Sequence, residues 1–188
     1  MIAIMRYPRG HKEAVRERIL ASTTKALREH GLSGVSIPTL MKSAGLTHGG
    51  FYAHFESRDD LVAAAIKAAG AQAADGVFSD AHSLEETLGL YLSDGHLKHP
   101  ERGCVVAALG AEGARQAPSV RRAFAHVAKR LLGLVERKLH PRRRAHEVSE
   151  EALRLTATMV GAVVLGRLVE DRALAERILG AARRSSPS

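Results

Sequence analysis

The stretch GLTHGGFYAHFESRDDLV, residues 45–62, holds the densest set of side chains able to do chemistry in the chain. Phe51, Tyr52 and Phe55 fall within five residues there, although the whole chain has only four Phe, three Tyr and no Trp. His48 and His54 offer imidazoles, Thr47 and Ser57 hydroxyls, and Arg58 a guanidinium. Tyr52 and Arg58 can donate to phosphate oxygens, the contacts that position a protein on a nucleic acid. A histidine can meet a phosphate or guanine N7, so it gives only a weak base preference. Gly49 and Gly50 would each cost about 1 kcal/mol relative to Ala inside a helix. In return, a backbone without side chains can lie close to another molecule. The competing reading is a small packed turn with Tyr52 and the histidines on an idle surface.

Other chemistry is thin. The lone Cys104 rules out an intrachain disulfide and suits a reducing compartment. In GCVVAAL it reads as a small buried hydrophobe. At a helix start after Arg102-Gly103 it reads instead as a reactive thiol. His96, His99 and Cys104 match none of the common zinc spacings. The glycines of GAEGA fit no phosphate loop, and there is no nucleophile elbow. No catalytic residue, metal site or cofactor is expected.

The positioning elements read as helices. His11–His30 is amphipathic through Val15, Ile19, Leu20, Ala26 and Leu27, and Gly31 ends it. Ser36 caps a short helix with Pro38 in its first turn, stopping at Ala44-Gly45. Thr47 opens a third helix to about Phe55, with Phe51 and Phe55 on one face as anchors. Ser57 and Asp60 resemble a capping box for a fourth helix into the seventies. Further helices are expected over residues 84–97, 103–116, 120–139, 149–170 and 173–182. Two short helices joined by a tight glycine turn, behind a longer one, outline a helix-turn-helix.

The 188-residue chain carries a net charge of +8, which favours an anionic partner, nucleic acid or a membrane surface. Two segments compete for that anion. Residues 6–28 hold seven Lys/Arg against Glu13 and Glu17, and residues 121–144 hold nine against Glu136 alone. The second run, around HPRRRAH, reads as a solvated loop. The N-terminus is too short in apolar residues for a signal peptide, and Met5 competes with Met1 as the start. The most apolar run, residues 155–169, contains Arg167 and falls short of the ~20 residues a membrane helix needs. A cytoplasmic protein with no membrane partner is expected.

Thr47, His48-Gly49-Gly50, Phe51-Tyr52, His54-Phe55, Ser57-Arg58 and Asp59-Asp60-Leu61 together resemble the DNA-binding signature of the TetR/AcrR family of bacterial regulators. VSIPTLMKSAGL, residues 35–46, resembles that family's second helix and turn, although Pro38-Thr39 replaces residues that are charged in many members. The resemblance covers roughly residues 11–66. It implies an all-α fold: a helix-turn-helix DNA-binding domain over residues 1–58, and a helical effector-binding and dimerisation domain over 59–188. It implies a homodimeric transcriptional regulator, most simply a repressor, on double-stranded operator DNA. His48 and Tyr52 would lead the contacts, beside Thr47 and the Gly49-Gly50 backbone. His54 and Arg58 would bind phosphate, with Ser36 and Thr39 as partners. Residues 120–139 and 149–170 are the interface expectations. A small apolar effector would enter a cavity lined by some of Phe78, Leu88, Tyr91, Leu92, Cys104, Phe124, Met159 and Val163. Two alternatives stand beside this: a repressor sensing oxidants or electrophiles through Cys104, and a basic helical protein of enzymatic or membrane-surface function.

Overall fold

The computed structural model of the protein describes residues 10–142 and 147–185. The segment before Gly10, Arg143 and Arg144 of the basic loop, and the last three residues lie outside the described residues, as does the choice between Met1 and Met5. The described residues are helical throughout, with no strand.

Helix α1, His11–His30, buries Val15, Ile19, Ala26 and Leu27 on one face. It ends where Gly31 takes φ +79 and returns its N–H to the Leu27 carbonyl. A side chain at Gly31 would also crowd the Glu112 carboxylate, 3.1 Å from where its Cβ would sit. Helix α2, Ile37–Ser43, starts as the sequence indicates: the Ser36 hydroxyl accepts from the Thr39 N–H at 3.4 Å. Gly45, at φ +71, makes the turn that follows, a conformation only glycine takes at low cost.

The third element departs from the α-helix expected to Phe55. It is a 3₁₀ helix, His48–Ala53, and the Thr47 side chain makes no capping bond. Paired glycines give no drive for a longer α-helix, and such 3₁₀ segments are characteristically short. Phe51 and Phe55 are both buried and stack at 6.0 Å between ring centroids, so the element is anchored by aromatics. Helix α3, Arg58–Asp75, is capped by the Ser57 hydroxyl, which accepts from the Asp60 N–H at 3.1 Å. The reciprocal half of the expected capping box is displaced by one residue: the Asp60 carboxylate accepts from the Glu56 N–H.

The expected helix over 84–97 is two helices, α4 (Leu84–Tyr91) and α5 (Asp94–Lys98). Ser93 caps the second through its hydroxyl. A 3₁₀ turn, Pro100–Arg102, leads into α6 (Val105–Gly113). Then follow α7 (Pro118–Leu139), α8 (Glu150–Leu168) and α9 (Arg172–Arg184). The dominant packing is α3 along α7, and α8 against α9. Gly70 lets α3 lie close to α7: a Cβ there would sit 2.7 Å from the Val127 methyls.

Two apolar clusters fill the interior. The first joins α1, α2, the 3₁₀ element and α3 to Val105, Leu109, Val120, Phe124 and Val127. The second gathers Phe78, Tyr91, Leu92, Leu131, Met159 and Leu179. The first therefore runs from the N-terminal helices into α6 and α7. Polar bonds follow the same route: the Leu32 N–H donates to Glu112 Oε2 at 2.8 Å, and Arg28 donates to the Gly103 carbonyl. No helix among the described residues is long and apolar enough to cross a membrane.

Candidate nucleic-acid interface and internal cavity

The N-terminal residues singled out in the sequence come together at one surface. Ser36, Thr39, His48 and Arg58 line a single open groove with the 33–35 turn. Ser36 Oγ and Thr39 Oγ1 lie 2.9 Å apart at the start of α2, where free N–H groups also favour an anion. Tyr52 is 67% exposed, although Phe51 beside it is fully buried. Its ring meets that of His48 edge-on at 6.4 Å, so the two leading side chains form one exposed pair. Thr47 is exposed with its hydroxyl uncommitted to the cap.

Gly49 and Gly50 are explained by nothing inside the chain. Neither has positive φ. A Cβ at Gly49 would meet no atom within 4 Å, and one at Gly50 would make only ordinary contact with Met41 and Thr47. Bareness at these positions serves no internal contact.

Arg58 and His54 are held differently from the phosphate-binding posture expected of them. The Arg58 guanidinium turns inward, donating from Nε to the Val35 carbonyl at 3.3 Å and from Nη2 to the carbonyls of Val35 and Leu32. It pins the α1–α2 turn while bordering the groove. His54 is half-buried, and its Nδ1 is buried without a hydrogen bond. Burial and the neighbouring cations Lys12 and Arg16 lower its pKa, so the ring is uncharged near neutral pH. Arg16 itself lies over the Phe55 ring at 4.8 Å. Lys12 and Arg16, adding cations at this end, stand out only once the fold brings α1 beside His54.

A partly open cavity of about 140 Å³ lies between α1, α3, α4 and α7. Of the residues named from the sequence, Phe78, Tyr91 and Cys104 line it. Leu88, Leu92, Met159 and Val163 do not: they pack as core in the second cluster. Phe124 belongs to the first cluster and presses against Gly113. The cavity also takes Arg28, Gln72, His96 and Arg102, polar residues that a search for large apolar side chains passes over. Cys104 sits at the start of α6, its N–H donating to His96 Nε2 at 2.9 Å. No group of His, Cys, Asp and Glu suited to a metal ion occurs among the described residues.

Residues 19–65 match the family model described as bacterial regulatory proteins, tetR family. No curated protein matches the chain. Among solved structures, the reduced form of Escherichia coli NemR superposes with a TM-score of 0.75 at 19% identity, over 93% of this chain and 99% of that one. A TetR transcriptional regulator from Chloroflexus aurantiacus gives 0.70 at 24% identity, over 92% and 94%. One from Legionella pneumophila gives 0.72 at 18%, over 92% and 97%. The structural likenesses speak for the fold, and the matched region marks residues 19–65 as the helix-turn-helix of bacterial regulatory proteins of the tetR family.

Proposed function

We propose that this regulator binds operator DNA as a homodimer through the Thr47–Tyr52 surface, as a repressor released by a small, largely apolar effector. Residues 1–58 would read DNA, and residues 59–188 would bind effector and dimerise. The observation that carries the reading is the exposed His48–Tyr52 pair beside two glycines that no internal contact requires. The dimer is supported by α8: Leu153, Ala157, Gly161, Val164, Leu165 and Leu168 recur at three- or four-residue spacing, and all but the half-buried Gly161 are exposed. Leu174 and Ala181 of α9 are exposed as well. In α7, by contrast, Val120, Val127, Leu131 and Val135 are buried within the chain, which favours α8 with α9 as the partner face. Two reading heads match two half-sites about one helical turn apart, ~34 Å. A cytoplasmic location follows from this role. The test is titration of the full chain onto the DNA flanking its own gene; saturable binding that weakens steeply with salt is expected, because phosphate contacts release counterions.

A second reading rests on Cys104, whose residue lines the cavity beside Tyr91. If its thiol is the sensor, peroxide or a quinone alone releases DNA from the wild type and not from Cys104→Ser. Equal responses in the two proteins retire it.

A further inference from the structure

The cavity has one apolar wall and one cationic wall. Phe78, Val77 and Leu131 form the first. Arg28 and Arg102 contribute to the second, next to the neutral His96, Tyr91 and Cys104. Arg28 is largely buried, yet its guanidinium meets only neutral acceptors: Nε donates to the Thr24 carbonyl at 3.2 Å and Nη1 to the Gly103 carbonyl. Arg167, behind the same turn, donates to the His96 carbonyl at 2.7 Å and keeps a buried Nε with no hydrogen bond. Burial lowers the pKa of both guanidinium groups, against a smaller opposing effect of Glu101. The nearby acid, Glu101, is engaged with His99 and Arg102. Among the described residues, neither Arg28 nor Arg167 has a carboxylate of its own.

Tyr91 adds a donor. Its side chain is 2% exposed, and its hydroxyl makes no hydrogen bond of ordinary geometry, although the Cys104 thiol lies beside it. A buried donor without a proper acceptor and the Arg28 guanidinium without an anion are two independent deficits at one cavity, and one ligand group relieves both. Size limits what carries that group. An apolar cavity of about 150 Å³ holds a benzene ring, and this one is of that order.

We propose that the cavity binds a small monocarboxylate bearing a single ring or a short acyl chain, its carboxylate held by Arg28, Arg102 and the Tyr91 hydroxyl and its apolar part against Phe78 and Leu131. This rests on the effector reading above and names the chemical class of the effector. Guanidinium groups suit a carboxylate because their paired donors match its two oxygens.

The test is calorimetric titration of the full chain with benzoate and hexanoate, each beside its uncharged amide. The acids are expected to bind at least about tenfold more tightly than the amides, as charge-assisted bonds require. Arg102→Gln lies at the exposed mouth, where its loss gives up only the ion pair with Glu101. That variant and Tyr91→Phe should each weaken acid binding several-fold, and more than they weaken amide binding, while leaving the melting temperature unchanged. Amides binding as tightly as acids, or no binding of either acid at millimolar concentration, overturns the proposal. DNA release is measured separately on the same compounds: an acid that binds without releasing DNA leaves the carboxylate site standing and refutes the effector reading, whereas release by the amides with no acid binding refutes the carboxylate site alone.

Discussion

At the scale of single residues, the surface around Tyr52 separates contact from support. Tyr52 and Gly49 touch little of their own chain, so changing them reads out an external partner. Tyr52→Phe removes one hydroxyl and should weaken operator binding by about 1 kcal/mol, roughly fivefold, with melting unchanged. Gly49→Leu places bulk in open space and improves local propensity, so the protein should be at least as stable and bind DNA more than about tenfold less well. Fluorescence anisotropy on a labelled operator, run beside thermal melts, checks both; wild-type affinity in both variants would mean that DNA does not lie there. Arg58 is a poorer probe, because its removal strands the Leu32 and Val35 carbonyls and mixes stability with binding. That distinction was not readable in the sequence. The family-like pattern named Arg58, but its carbonyl partners lie more than twenty residues away.

At the scale of elements, α4, α5 and α6 meet at His96. Its Nδ1 faces the Tyr91 carbonyl at 2.6 Å and its Nε2 accepts from the Cys104 N–H at 2.9 Å. That pair of bonds needs the neutral ring protonated at Nδ1; a second proton at Nε2 would confront a donor. Burial, with Arg167 and Arg28 nearby, accordingly lowers the pKa of His96 below the usual histidine value. The unfolded chain, with histidine near 6.5, then binds the proton first as pH falls. The resulting stability is present above about pH 6.5 and is lost progressively as pH drops below it toward the lowered folded value. Melting temperature should therefore fall between pH 7.5 and 5.5, and fall less in His96→Asn; identical pH profiles for the two proteins would contradict this. Helix existence was largely legible in the sequence, since α1 carries its apolar stripe and its Gly31 stop openly. The break within 84–97 was not, because apolar spacing continues across it and Ser93 alone marks the new cap. The cavity was half legible: Phe78, Tyr91 and Cys104 come from a rule about apolar size, whereas Arg28 arrives there from α1 through tertiary packing.

At the scale of the whole molecule, the reading head and the larger helical body are joined in three ways. Helix α3 leaves the head and runs along α7, Glu112 holds the N–H of Leu32, and Arg28 reaches from α1 to the turn before α6. A ligand beside Arg28 and Gly103 thus acts on bonds that also set the position of α1. By linkage, any such ligand that lowers DNA affinity has its own affinity lowered by DNA to the same degree. The exposed stripe of α8 is the other requirement, since one head reads only one half-site. Leu168 is 74% exposed and Leu165 53%, at the end of a helix whose opposite face is core. Leu165→Arg places a charge in the proposed partner face and should convert a dimer to monomers by sedimentation, with the helical content kept. A monomeric wild type at micromolar concentration would remove the dimer from the account.

The central claim, that the Thr47–Tyr52 surface binds duplex DNA, is tested most directly by titrating the full chain onto the DNA flanking its own gene at several salt concentrations, with Gly49→Leu alongside. The account predicts saturation at two protomers per site, a steep linear fall of log affinity with log salt, and loss of binding in the variant. Binding by Gly49→Leu equal to the wild type, or no salt-sensitive binding of the wild type to that DNA, would contradict it.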